Sequence, residues 1–329
     1  MIFFPEYKSC SFCNSELKLF ATHKTVLAVD TAVLFCHSCR YGVTTPTPDD
    51  ELLHVLHSTQ YYRNGEGKRF IASVEWLVEG MRRWRVHRLL RVVTTGSVLD
   101  VGCGSGKFLR VLRDEGWDVA GLELNDDTAT GARLVQNIRV ETNLNAFADK
   151  TFDLITITHV LEHVRDPLQI LVDCRRLLKP GGIIAVATPN IESWQARVMR
   201  GHWFHLDLPR HLWHFSEAWL TYNIRDLGFE QIGIRRLDIA HNTFGWFQST
   251  LNIIGLRHNR LYSFLSRDDL ETGNRSYYLS LCMSLCLAPL LIPLAMFLSV
   301  LEVMFHAGGT VEITARMKDS ESDCKNNRV

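Results

Sequence analysis

Short apolar runs rich in β-branched residues alternate with helical stretches from Ser97 onward. Unbroken apolar strands that are separated by helices are typical of a parallel sheet covered by helices on both faces. The pattern therefore predicts an α/β fold with a doubly wound sheet. The predicted strands are 98–101, 119–123, 152–158, 183–188, 229–237 and 310–316.

Four cysteines near the N-terminus form two Cys-x-x-Cys pairs, Cys10 with Cys13 and Cys36 with Cys39. Two such turns can supply four thiolates in tetrahedral geometry around Zn²⁺. Four cysteine ligands leave no coordination position open, so we interpret the site as structural rather than catalytic. We expect a zinc ribbon, with a small sheet between the two pairs.

The remaining pattern divides the chain into further parts. Two prolines within 44–48 predict a linker after the ribbon. Five arginines within 81–91 favour either an anionic partner, such as phosphate or a membrane surface, or an ordinary solvent-facing helix. The predicted parts are a ribbon (1–45), a helical linker or cap (46–96), a core (97–240 with 308–318), a hydrophobic helical insertion (241–307) and a tail (319–329).

A glycine loop follows the first strand of the core, at Gly102, Gly104 and Gly106. Glycines let the chain turn tightly and let a ligand lie against the backbone. The spacing is not the Gly-x-Gly-x-x-Gly of dinucleotide-binding proteins, and Asp100 before the loop would repel a pyrophosphate. Glu123, at the end of the next strand, can accept hydrogen bonds from both hydroxyls of a ribose. The implied ligand has a ribose and a positive charge but no phosphate, which fits S-adenosylmethionine and not NAD.

With these motifs, residues 97–240 and the last strand resemble the class I S-adenosylmethionine-dependent methyltransferases. The resemblance implies a Rossmann-like sheet of seven strands and S-adenosylmethionine as the cofactor. The segments that carry it are 100–106, Glu123, 152–167 and 177–182.

The same resemblance implies which further residues lie along the donor. Asn143 and Leu144 stand beside the adenine, where the family often has an acid, and an asparagine oxygen can accept the same hydrogen bond. His159, directly after the 152–158 strand, is expected near the methionine end of the donor.

The acceptor is less closely defined by the sequence. The cysteine pairs, Tyr61-Tyr62 and the segment 209–216 together resemble bacterial methyltransferases of surface-polysaccharide or natural-product assembly. That branch implies a small-molecule or lipid-linked glycan acceptor, or a nucleotide sugar. A quinone or natural-product O-methyltransferase is the alternative, and a donor-binding module without catalysis is another. RNA modification is disfavoured, because 36 basic and 36 acidic residues cancel and an Asn/Asp-Pro-Pro-Tyr motif is absent.

Transfer to a hydroxyl requires a general base, and a neutral histidine suits that role near pH 7. We predict His211 first and His163 second, although either ring could merely pack or cap a loop. Glu162 with His163 also resembles a pair proposed to hold a divalent ion in some quinone O-methyltransferases. His205 and Asp207, taken with His211, have metal-like spacing as well.

The segment 276–301 is 26 residues long and carries no charge. About 20 apolar residues can span a bilayer, but the strands on either side should pair, so a single crossing is excluded. Pro289 and Pro293 divide the segment, which predicts a re-entrant or in-plane helical hairpin at a membrane. A buried helical pair or an oligomer interface is the alternative. With no secretory signal visible, we expect a cytoplasmic protein at the inner membrane face.

Overall fold

The computed structural model describes residues 9–24, 30–58, 70–256, 258–266 and 275–318. The tyrosine pair at 61–62 and the predicted tail lie outside these ranges. Within them the strands are β1 (Lys18–Lys24), β2 (Asp30–Cys36), β3 (Tyr41–Thr45), β4 (Ser97–Val101), β5 (Asp118–Leu122), β6 (Arg139–Glu141), β7 (Phe152–Thr158), β8 (Leu178–Pro189), β9 (Trp213–Phe215), β10 (Phe229–Arg235) and β11 (Thr310–Met317).

A seven-stranded sheet in the order β10-β11-β8-β7-β4-β5-β6 forms the centre of the fold. The five strands from β8 to β6 run parallel, and β11 enters antiparallel between β8 and β10. Side chains such as Leu99, Ile155 and Ile184 are fully buried, as expected for strands covered on both faces. The predicted doubly wound, Rossmann-like fold is confirmed, as is the pairing of the last two predicted strands. The short strand β6 was not predicted.

Helices cover both faces of this sheet and form the insertion before β11. The helices are α1 (Asp50–Ser58), α2 (Ala72–Leu89), α3 (Lys107–Asp114), α4 (Asp126–Gln136), α5 (Pro167–Leu177), α6 (Trp194–Met199), α7 (Glu217–Asp226), α8 (Ile239–Ile253), α9 (Arg260–Leu265) and α10 (Arg275–Met304).

A second, four-stranded sheet joins the cysteine-rich segment to the core, in the order β1-β2-β3-β9. Tyr41 and Val43 of β3 lie opposite Phe215 and Trp213 of β9. Residues 44 and 45 belong to β3, so the linker predicted at 44–48 is wrong at its beginning. The cysteine-rich segment is therefore joined to the core by main-chain hydrogen bonds.

Helix α2 uses its arginines inside the fold. Arg82 forms an ion pair with Glu79 at 2.9 Å, and Arg88 reaches Glu312 of β11 at 2.5 Å. Arg83 stays largely exposed, with 64% of its side chain accessible. Neither predicted interpretation of the cluster describes it fully, because Arg82 and Arg88 are paired with carboxylates of the same chain.

The predicted hydrophobic hairpin is wrong in shape: α10 is one continuous helix with Pro289 and Pro293 inside it. The stretch Tyr277–Met304 is long and apolar enough to cross a membrane, with a mean hydropathy of 2.3 and only 17% of its apolar window buried. Helix α10 lies along α8, and its buried residues recur every three, four or seven positions from Tyr277 to Glu302. Because this stripe runs the length of the helix, α10 lies flat against its own domain.

One buried carboxylate fixes the end of α10 to the core. Glu302 is 0% exposed and accepts hydrogen bonds from Gln195 Nε2 at 3.0 Å, Trp246 Nε1 at 2.6 Å and Gly309 N at 2.5 Å. These donors come from α6, from α8 and from the turn before β11. Both carboxylate oxygens are used, so three elements meet on one side chain.

We predict that Glu302→Gln lowers the free energy of unfolding by about 2 kcal/mol. The new amide NH₂ faces an N–H donor, which leaves a buried polar group unpaired. Urea unfolding followed by circular dichroism measures the change. Glu230→Gln is the matched control, because Glu230 is 70% exposed and its ion pair with Lys318 spans 3.8 Å. Equal stability of both variants would contradict the anchoring role.

Candidate active site

The glycine loop predicted from the sequence turns the chain from β4 into α3. Gly102, Gly104 and Gly106 all have positive φ, at 73°, 54° and 70°, a region that favours glycine. At Gly102 an added Cβ would lie 2.3 Å from a methyl carbon of Val160, so a side chain there is excluded. The loop therefore exposes backbone at the carboxyl edge of the sheet, where open α/β sheets bind ligands.

Glu123 stands beside this loop, as predicted. Its carboxylate accepts hydrogen bonds from Gly104 N at 3.1 Å and from Asn125 N at 3.0 Å. Burial raises the pKa of Glu123. Asn143 begins the turn after β6, with its oxygen bonded to Asn145 N. These positions fit a ribose and an adenine lying across the ends of neighbouring strands.

Asp100 lies deeper, at the junction of β4 and β7. It is 6% exposed and accepts a hydrogen bond from Thr156 Oγ1 at 2.5 Å. Burial raises its pKa to about 6, against the opposing effect of that hydrogen bond and of Arg85. A buried carboxylate of this kind is stabilised by a nearby cation.

Arg85 of α2 brings such a cation to the site. Its guanidinium contacts Thr158 Oγ1 at the end of β7 and lies 4.9 Å above the ring of Phe108. Its Nε is shielded from solvent and has no hydrogen-bond partner among the described residues. An orphaned guanidinium N–H beside the crevice fits the carboxylate of a bound amino-acid group.

His159 continues the crevice beyond β7, with a backbone φ of 53°, which is rare for a residue other than glycine. Its Nδ1 lies 3.3 Å from Glu162 Oε1. Its ring stacks on that of His241 at 4.5 Å between centroids. Burial lowers the pKa of His159 to about 3, so this ring is neutral near pH 7.

Asp238, the residue that caps α8, lies beside the ring of His241. His241 Nδ1 lies 3.0 Å from Asp238 Oδ2, and Asp238 also accepts a hydrogen bond from the backbone N–H of His241. The carboxylate raises the pKa of His241 although burial opposes this. The side chain is 43% accessible, so a second molecule can reach it.

The two histidines predicted as bases, His163 and His211, lie close to Glu162. The ligand atoms of Glu162, His163 and His211 lie within 4.8 Å of one another. His211 donates from Nδ1 to His205 O at 2.9 Å, and His163 faces Arg210 O at 3.2 Å. His211 is only 6% exposed. Its role as a base stays a prediction, and the arrangement describes a cluster of ligands at least as well.

These three residues fit a divalent cation. Burial raises the pKa of Glu162 to about 7, and its Oε2 has no partner among the described residues. Backbone carbonyls fix one ring nitrogen of each histidine, which is the usual support for metal-binding imidazoles. The other predicted spacing does not form a site, because His205 Nε2 donates to His241 O and Asp207 pairs with Arg210.

The four N-terminal cysteines meet as predicted. Cys10 Sγ lies 3.8 Å from Cys39 Sγ, and Cys13 Sγ lies 3.6 Å from Cys36 Sγ. Thiolates that each lie about 2.3 Å from a tetrahedral zinc ion are about 3.8 Å apart. Backbone N–H groups of Phe12 and Cys39 point to the sulfurs at 3.4 Å and 3.3 Å. The cluster fits a structural zinc ion.

Three residues of the crevice were missed by the sequence reasoning. Arg85 lay within the arginine run, which gives no sign of which member points inward. Asp238 and His241 form an Asp-x-x-His pattern at the start of α8, directly after the predicted strand. An N-cap aspartate there could have been recognised, but its approach to His159 depends on tertiary packing.

Comparison with known proteins agrees with this geometry. Residues 75–232 match a family model described as a methyltransferase domain. A ubiquinone biosynthesis O-methyltransferase of Vibrio cholerae is 35% identical over 156 residues, which cover 41% of this chain and 64% of that protein. One of Histophilus somni is 35% identical over 134 residues, covering 36% and 56%. The chain thus spans somewhat more than half the length of these curated relatives.

A solved structure from Galdieria sulphuraria, described as a candidate sarcosine dimethylglycine methyltransferase, shares the fold. Its TM-score is 0.50 at 14% identity, and the match covers 82% of this chain and 97% of that one. The match at 75–232 overlaps most of the core that the sequence predicted at 97–240, and S-adenosylmethionine is the cofactor expected for a methyltransferase domain.

We predict that Cys36→Ser releases zinc from the purified protein, because the loss of one thiolate leaves an incomplete tetrahedron. Elemental analysis should find about one zinc per wild-type chain and well under half of that in the variant. Cys282→Ser, at an exposed cysteine on α10, is the control and should keep its zinc. Retention of a full equivalent by Cys36→Ser would refute the four-thiolate site.

Proposed function

We propose that this protein is an O-methyltransferase that acts on a hydroxyl group of a quinone-type aromatic acceptor. The observation that carries the proposal is the Asp238–His241 pair, which stacks through His241 on His159 at the edge of the donor crevice. The names of the relatives support the acceptor class, since both are ubiquinone biosynthesis O-methyltransferases. They give no support to the glycan or lipid-linked acceptor that the sequence first suggested.

The crevice supplies partners for each end of S-adenosylmethionine. When bound, this cofactor supplies a methyl group activated by a positively charged sulfur. Glu123 would accept the ribose hydroxyls, and the buried Asp100 would favour the positive charge. The orphaned Nε of Arg85 would donate to the methionyl carboxylate.

The acceptor hydroxyl must lose its proton as the methyl group arrives, and His241 is suited to take it. His241 Nδ1 is shielded from solvent and lies 3.0 Å from Asp238 Oδ2, so Nε2 is the nitrogen that can receive a proton. His159 is neutral, and its stacked ring limits the orientation of His241. Positioning of the reacting groups and proton transfer by a base together account for a large part of the rate enhancement that an enzyme can provide.

Glu162, His163 and His211 would hold a divalent cation next to His159, whose Nδ1 lies 3.3 Å from Glu162 Oε1. A cation there would act as a Lewis acid and favour the ionised form of a nearby hydroxyl. This proposal assigns the two histidines predicted from the sequence to ligand roles, and it leaves the base to His241.

We predict that His241→Asn lowers kcat by about 10²- to 10⁴-fold, the usual contribution of a general base. The assay follows S-adenosylhomocysteine formation with a dihydroxybenzene that carries an apolar side chain. Calorimetry should give an unchanged Kd for S-adenosylmethionine. His87→Asn, on the exposed face of α2, is the control and should keep wild-type rates. Wild-type turnover by His241→Asn would overturn the proposal. So would a wild-type enzyme that does not methylate the dihydroxybenzene but methylates a sugar hydroxyl.

Asp238→Asn should separate orientation from basicity. Asp238 raises the pKa of His241, and Glu162 acts in the same direction, whereas Arg85 lowers this pKa. The rings of His159 and His205 also face the His241 ring. A base must be unprotonated, so wild-type kcat/KM should rise with pH through a pKa above the ordinary value of about 6.5. In the variant this acid limb should move to lower pH while the plateau falls. A pH profile that keeps its midpoint would exclude Asp238 as the partner of a catalytic His241.

A further inference from the structure

Helix α10 presents an apolar face that its own domain leaves uncovered. The buried positions, among them Tyr277, Leu281, Ser284, Leu291 and Ala295, lie on one narrow stripe against α8. At 3.6 residues per turn, the exposed positions occupy roughly 200° of the helix circumference. The exposed large apolar residues of this helix are Tyr278, Leu279, Met283, Leu285, Leu290, Ile292, Leu294, Met296, Phe297, Val300 and Met304.

The composition of this face is unusual for a surface in contact with water. The sequence from Tyr277 to Leu301 contains no charged residue, over a helix about 45 Å long when counted at 1.5 Å per residue. Exposed apolar patches of this extent normally mark a protein or membrane contact.

The arc of exposed residues decides between a lipid surface and a second protein chain. A helix or sheet that packs on α10 would cover one further stripe of about 100°, as α8 does, and would leave the rest in water. Acyl chains have no fixed shape and can cover the whole arc. The exposed arc carries large apolar side chains such as Leu279, Leu290 and Phe297, the types found on the apolar face of helices that lie in the membrane plane.

The attachment of the helix sets its orientation in the membrane. Near its start Tyr277 packs below the Arg260 guanidinium at 4.6 Å, and near its end Glu302 is bonded to three other elements. A helix held flat against its domain at both ends cannot cross a bilayer, but it can lie in the interface. We propose that α10 binds the protein to a lipid bilayer, with its axis in the membrane plane.

This orientation would also bring the proposed reaction close to the lipid. Trp246 of α8, which is bonded to Glu302 of α10, lies five residues after His241. The crevice is therefore linked to the membrane-facing helix through a single helix. An acceptor with an apolar tail could enter from the bilayer, although the membrane contact itself does not rest on the proposed acceptor.

Flotation of the full-length, zinc-loaded protein with vesicles tests the proposal. The wild type should float with phosphatidylcholine vesicles containing phosphatidylglycerol. The triple variant Leu279→Lys, Leu290→Lys and Phe297→Lys changes the centre of the exposed arc and should reduce the bound fraction at least tenfold. The control variant, Leu134→Lys, Val172→Lys and Ile232→Lys, adds equal charge at exposed apolar positions elsewhere and should bind as the wild type does. A wild-type protein that stays in the soluble fraction, or equal loss in both variants, would overturn the proposal.

Two native cysteines report on the face directly, without any substitution. Cys282 and Cys286 are exposed on the outer side of α10. Vesicles should slow their reaction with a charged maleimide at least tenfold, as read by peptide mass spectrometry. Unchanged reaction rates would contradict the proposal. Protection of the two thiols without vesicles, in a protein that elutes as a dimer, would also contradict it, because a second copy of the chain would then cover the face. Turnover of a water-soluble acceptor, measured without vesicles, tests the proposed activity independently of the membrane contact.

Discussion

A single buried carboxylate, Glu302, holds the helical insertion against the sheet, and the acceptor side of the crevice depends on it. Taking a carboxylate out of water is costly unless its oxygens are bonded, and here three N–H donors satisfy them. One donor, Trp246, belongs to the helix whose first turn carries Asp238 and His241. The network therefore fixes that helix relative to the sheet from which His159 projects. An apolar side chain at 302 could fill the space but would leave the donors unpaired.

The parallel core could be predicted because its strands carry local signals. Each of the four predicted core strands is a short apolar run between turns, and each forms within one or two residues of its predicted beginning except β8, which begins earlier. The strand β9 has no such signal. It is three residues long, and Trp213 and Phe215 pair with β3 only because the cysteine-rich segment folds against the core. Long-range pairing of this kind is set by topology and not by local pattern.

The candidate site shows the same division between local motif and tertiary arrangement. Asp100 and Glu123 could be predicted because both lie next to the glycine loop or at the end of a strand. His241 could not, because it reaches His159 only when α8 packs across the end of the sheet. His211 was the natural choice in the sequence, yet its ring is buried and bonded to a backbone carbonyl. Residue type predicts chemistry, but accessibility to an acceptor comes from the fold.

The uncharged segment before β11 shows why hydropathy alone is ambiguous. A mean hydropathy of 2.3 fits a buried core helix as well as one in lipid, and the prolines suggested a break that the structure does not have. The pairing of β10 with β11 excluded a crossing, because both ends of the insertion must return to one sheet. Only the structure shows that a narrow stripe of α10 is buried and the remainder exposed. Since α8 packs along that stripe and carries His241 in its first turn, a surface that binds α10 is separated from the proposed base by that one helix.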